Sequence, residues 1–334
     1  MSDLYISNVP ALYREDFTSA LRQAGFRICY TSCGDLDVGT LMGRTFLRHP
    51  VDLIRKERPS RVIAPEFSLI TLQLAALRRK GGFHLVSLCD DSAEMIAGND
   101  FSRAHRLARQ WIPRLLDAII VHSQDVGEWY RRHAGIRSSV MPIISDERRV
   151  RPDLERVLPL SEHLRPGGKP IVAFVGRLVK LKNIPTLLRA FEPFKDRAQL
   201  VIIGEGPERA TLEAQSPDAL FTGMLTGDEL LAWYNLIDIL VLPSTQEAYG
   251  TVTGEALMAG AKVIVSRKAG SSDLIQEGEN GHVVEPTAVS ELADRIGKLL
   301  DKVSSDRPLI LRENLLPCRF EACIREVLKE INSL

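Results

Sequence analysis

The sequence predicts an α/β protein made of two doubly wound domains, each with a parallel sheet between layers of helices. The 334 residues suffice for two domains at roughly 100–200 residues per domain. Short apolar runs alternate along the chain with segments of helical spacing, which is typical of parallel sheets. The alternation stops at residues 151–170, which are charged and contain proline and glycine, and then restarts. That segment is the predicted linker.

The first predicted domain covers residues 1–150. Its last predicted helix bends before Pro113, because proline lacks the N–H that a helix interior needs. The predicted strands are 3–8, 26–32, 60–66, 83–91, 117–123 and 138–143, and the predicted helices include 14–25, 70–82 and 102–116.

The second predicted domain covers residues 171–315 and repeats the alternation. A last helix in residues 316–334 follows Pro317. The predicted strands are 171–176, 198–204, 219–223, 238–244, 262–266 and 281–286, with helices around 184–194, 207–214, 227–236, 251–259, 271–277 and 288–301.

Composition excludes several classes of protein. The 43 basic and 43 acidic residues balance, so no global charge attracts nucleic acid. The five cysteines have spacings unlike a disulfide framework or a zinc site. Buried thiols in a cytosolic chain are the favoured interpretation, with local pairing of Cys29 and Cys33 as the alternative. Asp3 comes early, and no apolar run reaches about 18 residues, so we expect a cytoplasmic protein without a leader or membrane span.

The most informative segment is "LPSTQEAYGTVTGEALMAG" (242–260). Glu247 lies in a loop after a predicted strand, and Gly250 allows tight backbone before Thr251 or Thr253 begins a helix. The amides at the start of that helix favour anions. Carboxylates accept hydrogen bonds strongly, so Glu247 suits sugar hydroxyls and Glu255 the two hydroxyls of a ribose. The alternative is two solvated glutamates.

Basic residues follow the first strand of the second domain in "FVGRLVKLKN" (174–183). Arg177 and Lys182 together have the outline of a diphosphate clamp, whereas a lone basic residue in a loop is usually solvated. Farther along, Gly204 and Gly206 resemble part of a dinucleotide-binding loop. The third glycine of that loop is absent, because position 209 is Arg209. The two glycines therefore fit a tight turn into a helix as well as they fit the dinucleotide loop of a dehydrogenase.

Acidic residues also end strands of the first domain. Asp90 and Asp91 lie at the edge where ligands of parallel sheets bind, and either one is a candidate to orient or deprotonate a hydroxyl acceptor. A helix cap or turn is the alternative. Glu66 also ends a strand, and His122 reads as a packed strand residue. The "DLD" at 35–37 reads as a solvated turn, so we predict no required metal.

Five segments in order resemble glycosyltransferase family 4, whose members have the GT-B fold. They are "VGRLVKLKN", "IIGEGPER", "FTGMLTGDELLAWYNLIDILVLPS", "EAYGTVTGEALMAG" and "GENGHVVEP", within about residues 171–303. The resemblance implies two Rossmann-like domains facing across a cleft, with the terminal helix crossing back to the first. This chain departs from the family pattern at Ala248, where a glycine is usual, and at Lys262, where a proline is usual.

The resemblance also implies a function and residue roles. The chain would be a retaining glycosyltransferase that moves a hexosyl group from a nucleoside diphosphate sugar to a glycan or lipid-linked glycan. The alternatives are a non-catalytic sugar-nucleotide-binding subunit, or an epimerase or phosphorylase on a similar fold. Arg177 and Lys182 would hold the phosphates, Glu255 the ribose and Glu247 the sugar. The remaining implied donor contacts are backbone positions Tyr249, Gly250, Thr251, Gly223, Met224 and Leu225.

The basic helix at residues 102–116 suggests one more partner. It carries Arg103, Arg106, Arg109 and Arg114 with Trp111, a composition that suits an anionic lipid surface. We therefore predict peripheral contact with the inner face of the plasma membrane, against the alternative of a solvated or interdomain helix face.

Overall fold

The computed structural model describes residues 2–97, 103–164, 168–303 and 309–334. The chain divides into two compact units, Met1–Ile143 with Phe320–Leu334, and Ile144–Arg319. Each unit contains a six-stranded sheet in which all neighbouring strands are parallel. The predicted fold class is confirmed, because helices alternate with the strands of both sheets.

The first unit has the strand order β2-β1-β5-β6-β7-β8, with a separate two-stranded sheet of β3 and β4. Its strands are β1 (Asp3–Ser7), β2 (Phe26–Tyr30), β3 (Val38–Leu41), β4 (Arg44–Leu47), β5 (Arg61–Pro65), β6 (His84–Leu88), β7 (Ala118–Val121) and β8 (Arg137–Val140). Its helices are α1 (Glu15–Gln23), α2 (Pro50–Glu57), α3 (Leu69–Gly81), α4 (Ala93–Ala97), α5 (Arg103–Trp111), α6 (Gln124–Ala134) and α14 (Phe320–Asn332).

The second unit has the strand order β11-β10-β9-β12-β13-β14. Its strands are β9 (Ile171–Val175), β10 (Gln199–Ile203), β11 (Leu220–Gly223), β12 (Ile239–Leu242), β13 (Lys262–Ser266) and β14 (Gly281–Val284). Its helices are α7 (Glu147–Arg156), α8 (Leu158–Leu164), α9 (Ile184–Phe191), α10 (Arg209–Gln215), α11 (Gly227–Leu236), α12 (Val252–Met258) and α13 (Val289–Leu300).

Strand β9 is the switch point of the second sheet. The chain continues from β9 to its neighbour β10 on one side, and later returns to β12 on the other side. Ligands of open parallel sheets bind outside the carboxyl ends of the strands at such a point. The loops after β9 and β12 are therefore the first places to look for a ligand site.

The structure differs from the sequence prediction at the hairpin of β3 and β4. Met42 and Gly43 connect these strands with φ of 49° and 74°, the positive values that two-residue hairpin turns require. The hairpin has no long apolar run, and a Met-Gly pair is not a strong turn signal, so its strands did not stand out.

The predicted linker is also different in the structure. Residues 151–164 belong to α7 and α8 and lie within the second unit. Leu154 and Val157 are buried, and the side-chain amide of Asn235 donates to the carbonyl of Leu154 at 2.8 Å. A few apolar residues at helical spacing dock this segment, although charged residues dominate its composition.

The terminal helix α14 belongs to the first unit, whereas the residues just before it belong to the second. Arg137 at the start of β8 forms an ion pair with Glu330 of α14 at 2.8 Å. In the second unit, the Leu315 N–H donates to the Leu257 carbonyl at 2.9 Å. The chain therefore passes from the second unit to the first between Arg319 and Phe320.

Two further features are the helix lengths and the cysteines. Among the helices in the described ranges, none combines the length and apolar character needed to cross a membrane. None of the five cysteines, all within the described residues, forms a disulfide; Cys29 and Cys89 are buried and Cys33 is exposed.

Candidate functional site

An ion pair joins the loops that follow β9 and β12. The ammonium group of Lys182, after β9, contacts Glu247 Oε2, after β12. Both side chains are largely shielded, with 17% and 13% exposed, and Ser244 Oγ donates to the same oxygen at 3.3 Å. The structure thus brings together the predicted phosphate-binding lysine and the predicted sugar-binding glutamate at the switch point of the sheet.

The backbone after Glu247 is held tightly against the sheet. Gly250 has φ of +91°, and a Cβ there would lie 2.6 Å from Leu242 Cδ2. A side chain at this position would clash with the end of β12. Tyr249 is 5% exposed, and its carbonyl accepts from the Ser271 N–H at 2.9 Å.

Helix α12 begins directly after this loop. Thr251 immediately precedes it, but the Thr251 side chain makes no capping hydrogen bond. Thr253 Oγ1 accepts a hydrogen bond from Ser271 Oγ at 2.9 Å. The helix therefore begins between the two threonines, at Val252, and Thr253 bonds it to the neighbouring loop.

Glu255 lies one turn inside α12, and its main contact comes from a residue that the sequence did not single out. The hydroxyl of Tyr234, in α11, donates to Glu255 Oε2. Burial raises the pKa of Glu255, and the hydrogen bond from Tyr234 opposes that rise. Tyr234 lies in the apolar run "LLAWYNLIDILVL", where a tyrosine reads as a core residue.

Arg177 is exposed directly after β9, and the loop that carries it packs against the loop after β10. The Leu178 N–H donates to the Glu205 carbonyl at 2.8 Å. A Cβ on Gly204 would lie 1.9 Å from the Gly176 carbonyl oxygen. The two glycines in "GEGP" are thus needed for close packing of two backbones, which favours the tight-turn interpretation over a dinucleotide loop.

The three residues expected near the nucleoside base lie at the carboxyl end of the edge strand β11, two strands from β9. Gly223 is buried at the end of β11, Met224 is 73% exposed, and Leu225 is half-buried. Beside Gly223, Glu205 and Arg209 form an ion pair. Their role in base binding stays a prediction.

In the first unit, Asp90 and His122 meet at the carboxyl edge of the sheet. His122 Nε2 lies 2.8 Å from Asp90 Oδ1, and its Nδ1 lies 2.7 Å from the Met141 carbonyl oxygen. Arg14 contacts the same Asp90 oxygen. Burial works to raise the pKa of Asp90, but the hydrogen bond from His122 and the charge of Arg14 lower it overall. Asp90 is still 35% exposed.

Asp91 has a different environment from its neighbour. Its two oxygens accept from Arg109 at 2.7 and 2.6 Å, and the hydroxyl of Tyr130 donates to one of them. The Asp91 and Arg109 side chains are only 7% and 6% exposed. Both carboxylate oxygens are therefore engaged in a buried pair, which suits a structural role better than acid–base chemistry.

Glu66 directly follows β5 and lies near both aspartates. Partial burial, together with the charges of Asp90 and Asp91, raises the pKa of Glu66 to about 7. Its backbone has φ of 38°, and its carbonyl accepts from Ser87 Oγ and Thr71 Oγ1, both at 2.9 Å. The Glu66 backbone is therefore held at this edge of the first sheet, and its carboxyl group has a raised pKa.

The basic helix at 102–116 only partly presents its charges to solvent, and residue 102 lies outside the described residues. Helix α5 ends at Trp111 and continues as a single 3₁₀ turn through Leu115. Arg109 is bound to Asp91, so it does not belong to the predicted lipid-facing set. Arg114 is exposed and lies 5.5 Å from the centre of the Trp111 ring.

Comparison with known families points to the second unit. Residues 169–302 match the family of glycosyl transferases group 1. This range contains Arg177, Lys182, Glu247 and Glu255, and it extends from just before β9 to the end of α13.

Curated relatives resemble a part of the chain. A GDP-mannose-dependent alpha-mannosyltransferase of Corynebacterium glutamicum is 41% identical over 119 residues, which are 36% of this chain and 28% of that protein. One of Mycolicibacterium smegmatis is 37% identical over 144 residues, 40% of this chain and 38% of that protein. The chain thus spans well under half the length of these relatives.

Solved structures extend the likeness to the whole fold. The crystal structure of HepE from Anabaena in complex with UDP has a TM-score of 0.72 and 17% identity, and the match covers 100% of both chains. At this identity the likeness establishes the fold alone. The chain has the GT-B fold, and its residues 169–302 match the glycosyl transferases group 1 family.

Proposed function

We propose that this chain is a glycosyltransferase that moves a sugar from a nucleoside diphosphate sugar to an acceptor hydroxyl, with retention of configuration. The observation that carries the proposal is the Lys182–Glu247 pair between the loops after β9 and β12. Relatives named GDP-mannose-dependent mannosyltransferases and the fold shared with a UDP-bound protein support a sugar nucleotide as the donor.

The proposed donor site has a part for each portion of the sugar nucleotide. Arg177 and Lys182 bind the diphosphate oxygens, Glu255 binds the ribose, and Gly223 to Leu225 lie toward the base. The backbone amides from Tyr249 to Thr251 approach the sugar and the adjacent phosphate. Glu247 accepts hydrogen bonds from sugar hydroxyls.

The ion pair suggests how the site responds to its donor. Without a donor, Lys182 and Glu247 neutralise each other. A diphosphate offers the ammonium group more negative charge than one carboxylate does, so Lys182 turns to the phosphate. Glu247 is then released to bind hydroxyl groups of the sugar.

In the proposed reaction the acceptor oxygen forms a bond to the anomeric carbon while the bond from that carbon to the phosphate oxygen breaks. The acceptor proton passes to the leaving phosphate on the same face. Arg177 and Lys182 stabilise the charge that develops on the diphosphate. We propose that these two cations make a divalent metal unnecessary.

Asp90 is the residue of the first unit that we propose to contact the acceptor. It remains partly exposed, and its known partners, Arg14 and His122, meet at Oδ1, so Oδ2 is placed to accept from a hydroxyl group. Asp91 holds Arg109 instead. A glycan or a lipid-linked glycan in polysaccharide assembly is the acceptor class that we propose.

We also propose peripheral contact with a membrane at its cytoplasmic face. Leu107 and Trp111, four residues apart in α5, and Leu115 in the following 3₁₀ turn are 55%, 64% and 44% exposed. Beside Trp111, Arg114 and His133 line a cavity of about 440 Å³. Exposed apolar side chains with flanking cations suit the surface of an anionic bilayer.

Vesicle flotation tests the membrane contact. Trp111→Ala should reduce binding to phosphatidylserine-containing vesicles, while Met42→Ser, which removes a 95% exposed apolar side chain from the hairpin, should not. Binding of wild type that is absent, or equal in both variants, contradicts this contact.

The test of the enzymatic proposal is release of nucleoside diphosphate from UDP-glucose and GDP-mannose, measured with polyol acceptors and with excess chelator. Wild type should release UDP or GDP in chelator, and Glu247→Gln should be at least about 100-fold slower, in the range found when one transition-state contact is removed. Donor binding without any transfer would favour the non-catalytic alternative. Activity that requires a divalent ion would contradict metal independence.

A further inference from the structure

The Glu255 carboxylate is oriented by a buried tyrosine hydroxyl. Tyr234 is 2% exposed, and its hydroxyl donates to Glu255 Oε2. Burial raises the pKa of Tyr234 well above its usual value, so the tyrosine keeps its proton and acts as the donor. Among the residues that the structure describes, Tyr234 is the hydrogen-bond partner of this carboxylate.

This arrangement leaves one oxygen of Glu255 for a ligand. Tyr234 donates to Oε2, and that contact restricts the rotation of the carboxylate. A carboxylate oxygen accepts more than one hydrogen bond, so a single oriented oxygen suits neighbouring hydroxyl groups.

The two helices that carry this pair are tied together by Arg312. Its guanidinium donates to the Tyr234 carbonyl and to the Ala259 carbonyl, just after α12, both at 3.0 Å. Arg151 in turn donates to the carbonyls of Arg312 at 2.8 Å and of Met258 at 2.9 Å. The distance between Tyr234 in α11 and Glu255 in α12 is therefore maintained by contacts behind the pair.

We propose that Tyr234 is a positioning residue for donor binding, which orients Glu255 to accept hydrogen bonds from the ribose hydroxyls of a nucleoside diphosphate. This inference rests on the proposed function, because it assumes that the loops after β9 and β12 bind a sugar nucleotide. Tyr234 itself does not touch the nucleotide. It also supplies the hydrogen bond that favours the ionised form of Glu255 against burial.

A positioning role and a merely structural role of Tyr234 differ in whether the loss of nucleotide affinity depends on the ribose hydroxyls. Isothermal titration compares UDP and GDP with their 2′,3′-dideoxy analogues, which lack the two hydroxyl groups. Four proteins are compared: wild type, Tyr234→Phe, Glu255→Gln and Tyr130→Phe. The last is a matched control, since Tyr130 is another buried tyrosine that donates to a carboxylate, Asp91, but lies in the first unit.

The expected result is a loss confined to nucleotides that carry the ribose hydroxyls. Tyr234→Phe should raise the Kd of the better-bound diphosphate about tenfold, the size expected for loss of an oriented charged hydrogen bond. The Kd of its dideoxy analogue should be unchanged. Glu255→Gln should show the same selectivity, and Tyr130→Phe should change neither Kd.

Three outcomes overturn the inference, and they are distinguishable. If Tyr234→Phe binds the diphosphate as wild type does while Glu255→Gln binds it weakly, the donor site stands and Tyr234 has no positioning role. If Tyr234→Phe weakens the dideoxy analogue equally, its role is structural. If wild type binds neither UDP nor GDP, the proposed function fails and the role of Tyr234 fails with it.

Discussion

Replacing Asp91 by Asn tests whether this residue is structural. The substitution keeps the shape of the side chain and removes its charge. Arg109 then remains buried, with 6% of its side chain exposed, and loses its ion pair with Asp91. Removing one member of a buried pair costs roughly 3–5 kcal/mol, because the other charge is left uncompensated.

The assay is differential scanning calorimetry, which follows the transition of the first unit. A loss of this size should lower its Tm by about 10 °C for a unit of roughly 150 residues. The control is Glu128→Ala in the same unit, which breaks an ion pair with Arg132 at 2.5 Å whose side chains are 47% and 75% exposed. That exposed pair should contribute nothing measurable, because solvent screens it.

A Tm for Asp91→Asn within about 2 °C of the control would refute the reasoning, since it corresponds to less than roughly 1 kcal/mol. The buried pair would then contribute little, and Asp91 would return as a candidate for contact with the acceptor. A large loss of stability, with unchanged release of nucleoside diphosphate from the sugar nucleotide, would support a structural role for Asp91 and acceptor contact by Asp90.

Three further predictions concern the site and its surroundings. Gly250→Ala should lower the free energy of unfolding by about 2–4 kcal/mol in urea, because the left-handed backbone and a contact 2.6 Å from Leu242 both resist a Cβ; an unchanged midpoint would contradict this. Wild type should lose stability, on the order of 1 kcal/mol after screening, as the pH rises from the pKa of Glu66 in the unfolded chain toward its folded pKa of about 7. Glu66→Gln should not show this loss. The sign follows because the folded chain keeps this proton in that window while the unfolded chain releases it, and parallel pH profiles would contradict it. Lys182→Met should weaken UDP or GDP binding at least about tenfold, more strongly at low salt than at high salt; equal Kd values for wild type and variant would contradict the clamp.

Much of the fold follows from local pattern. Inner strands of both sheets, such as β5 and β9, are buried on both faces, so their sequences are nearly continuous apolar runs that stand out between polar segments. The β3–β4 hairpin is short and lies outside the parallel sheet, so it lacks such a run. The segment 151–164 was missed because a few buried residues, such as Leu154, decide its docking while charged residues dominate its composition.

The part of the candidate site that lies in loops after strand ends was predictable. Lys182 and Glu247 follow strands that become neighbours, so topology alone brings their loops together. The partners of the site residues were not predictable. Tyr234 in α11 meets Glu255 in α12, and Asp91 meets Arg109 in α5. Neither pairing has a sequence spacing that signals it.

The most direct test of the central claim is thermal stability in the presence of UDP, GDP, dTDP or ADP, for wild type and Arg177→Ala. A ligand at about 100 times its Kd adds roughly 2.7 kcal/mol to the stability of a protein that binds it. The proposed donor site predicts that one nucleoside diphosphate stabilises wild type by this amount, with or without chelator, and stabilises Arg177→Ala much less. No stabilisation of wild type by any of the four, or equal stabilisation of both proteins, would contradict a sugar-nucleotide site at the switch point of the second sheet.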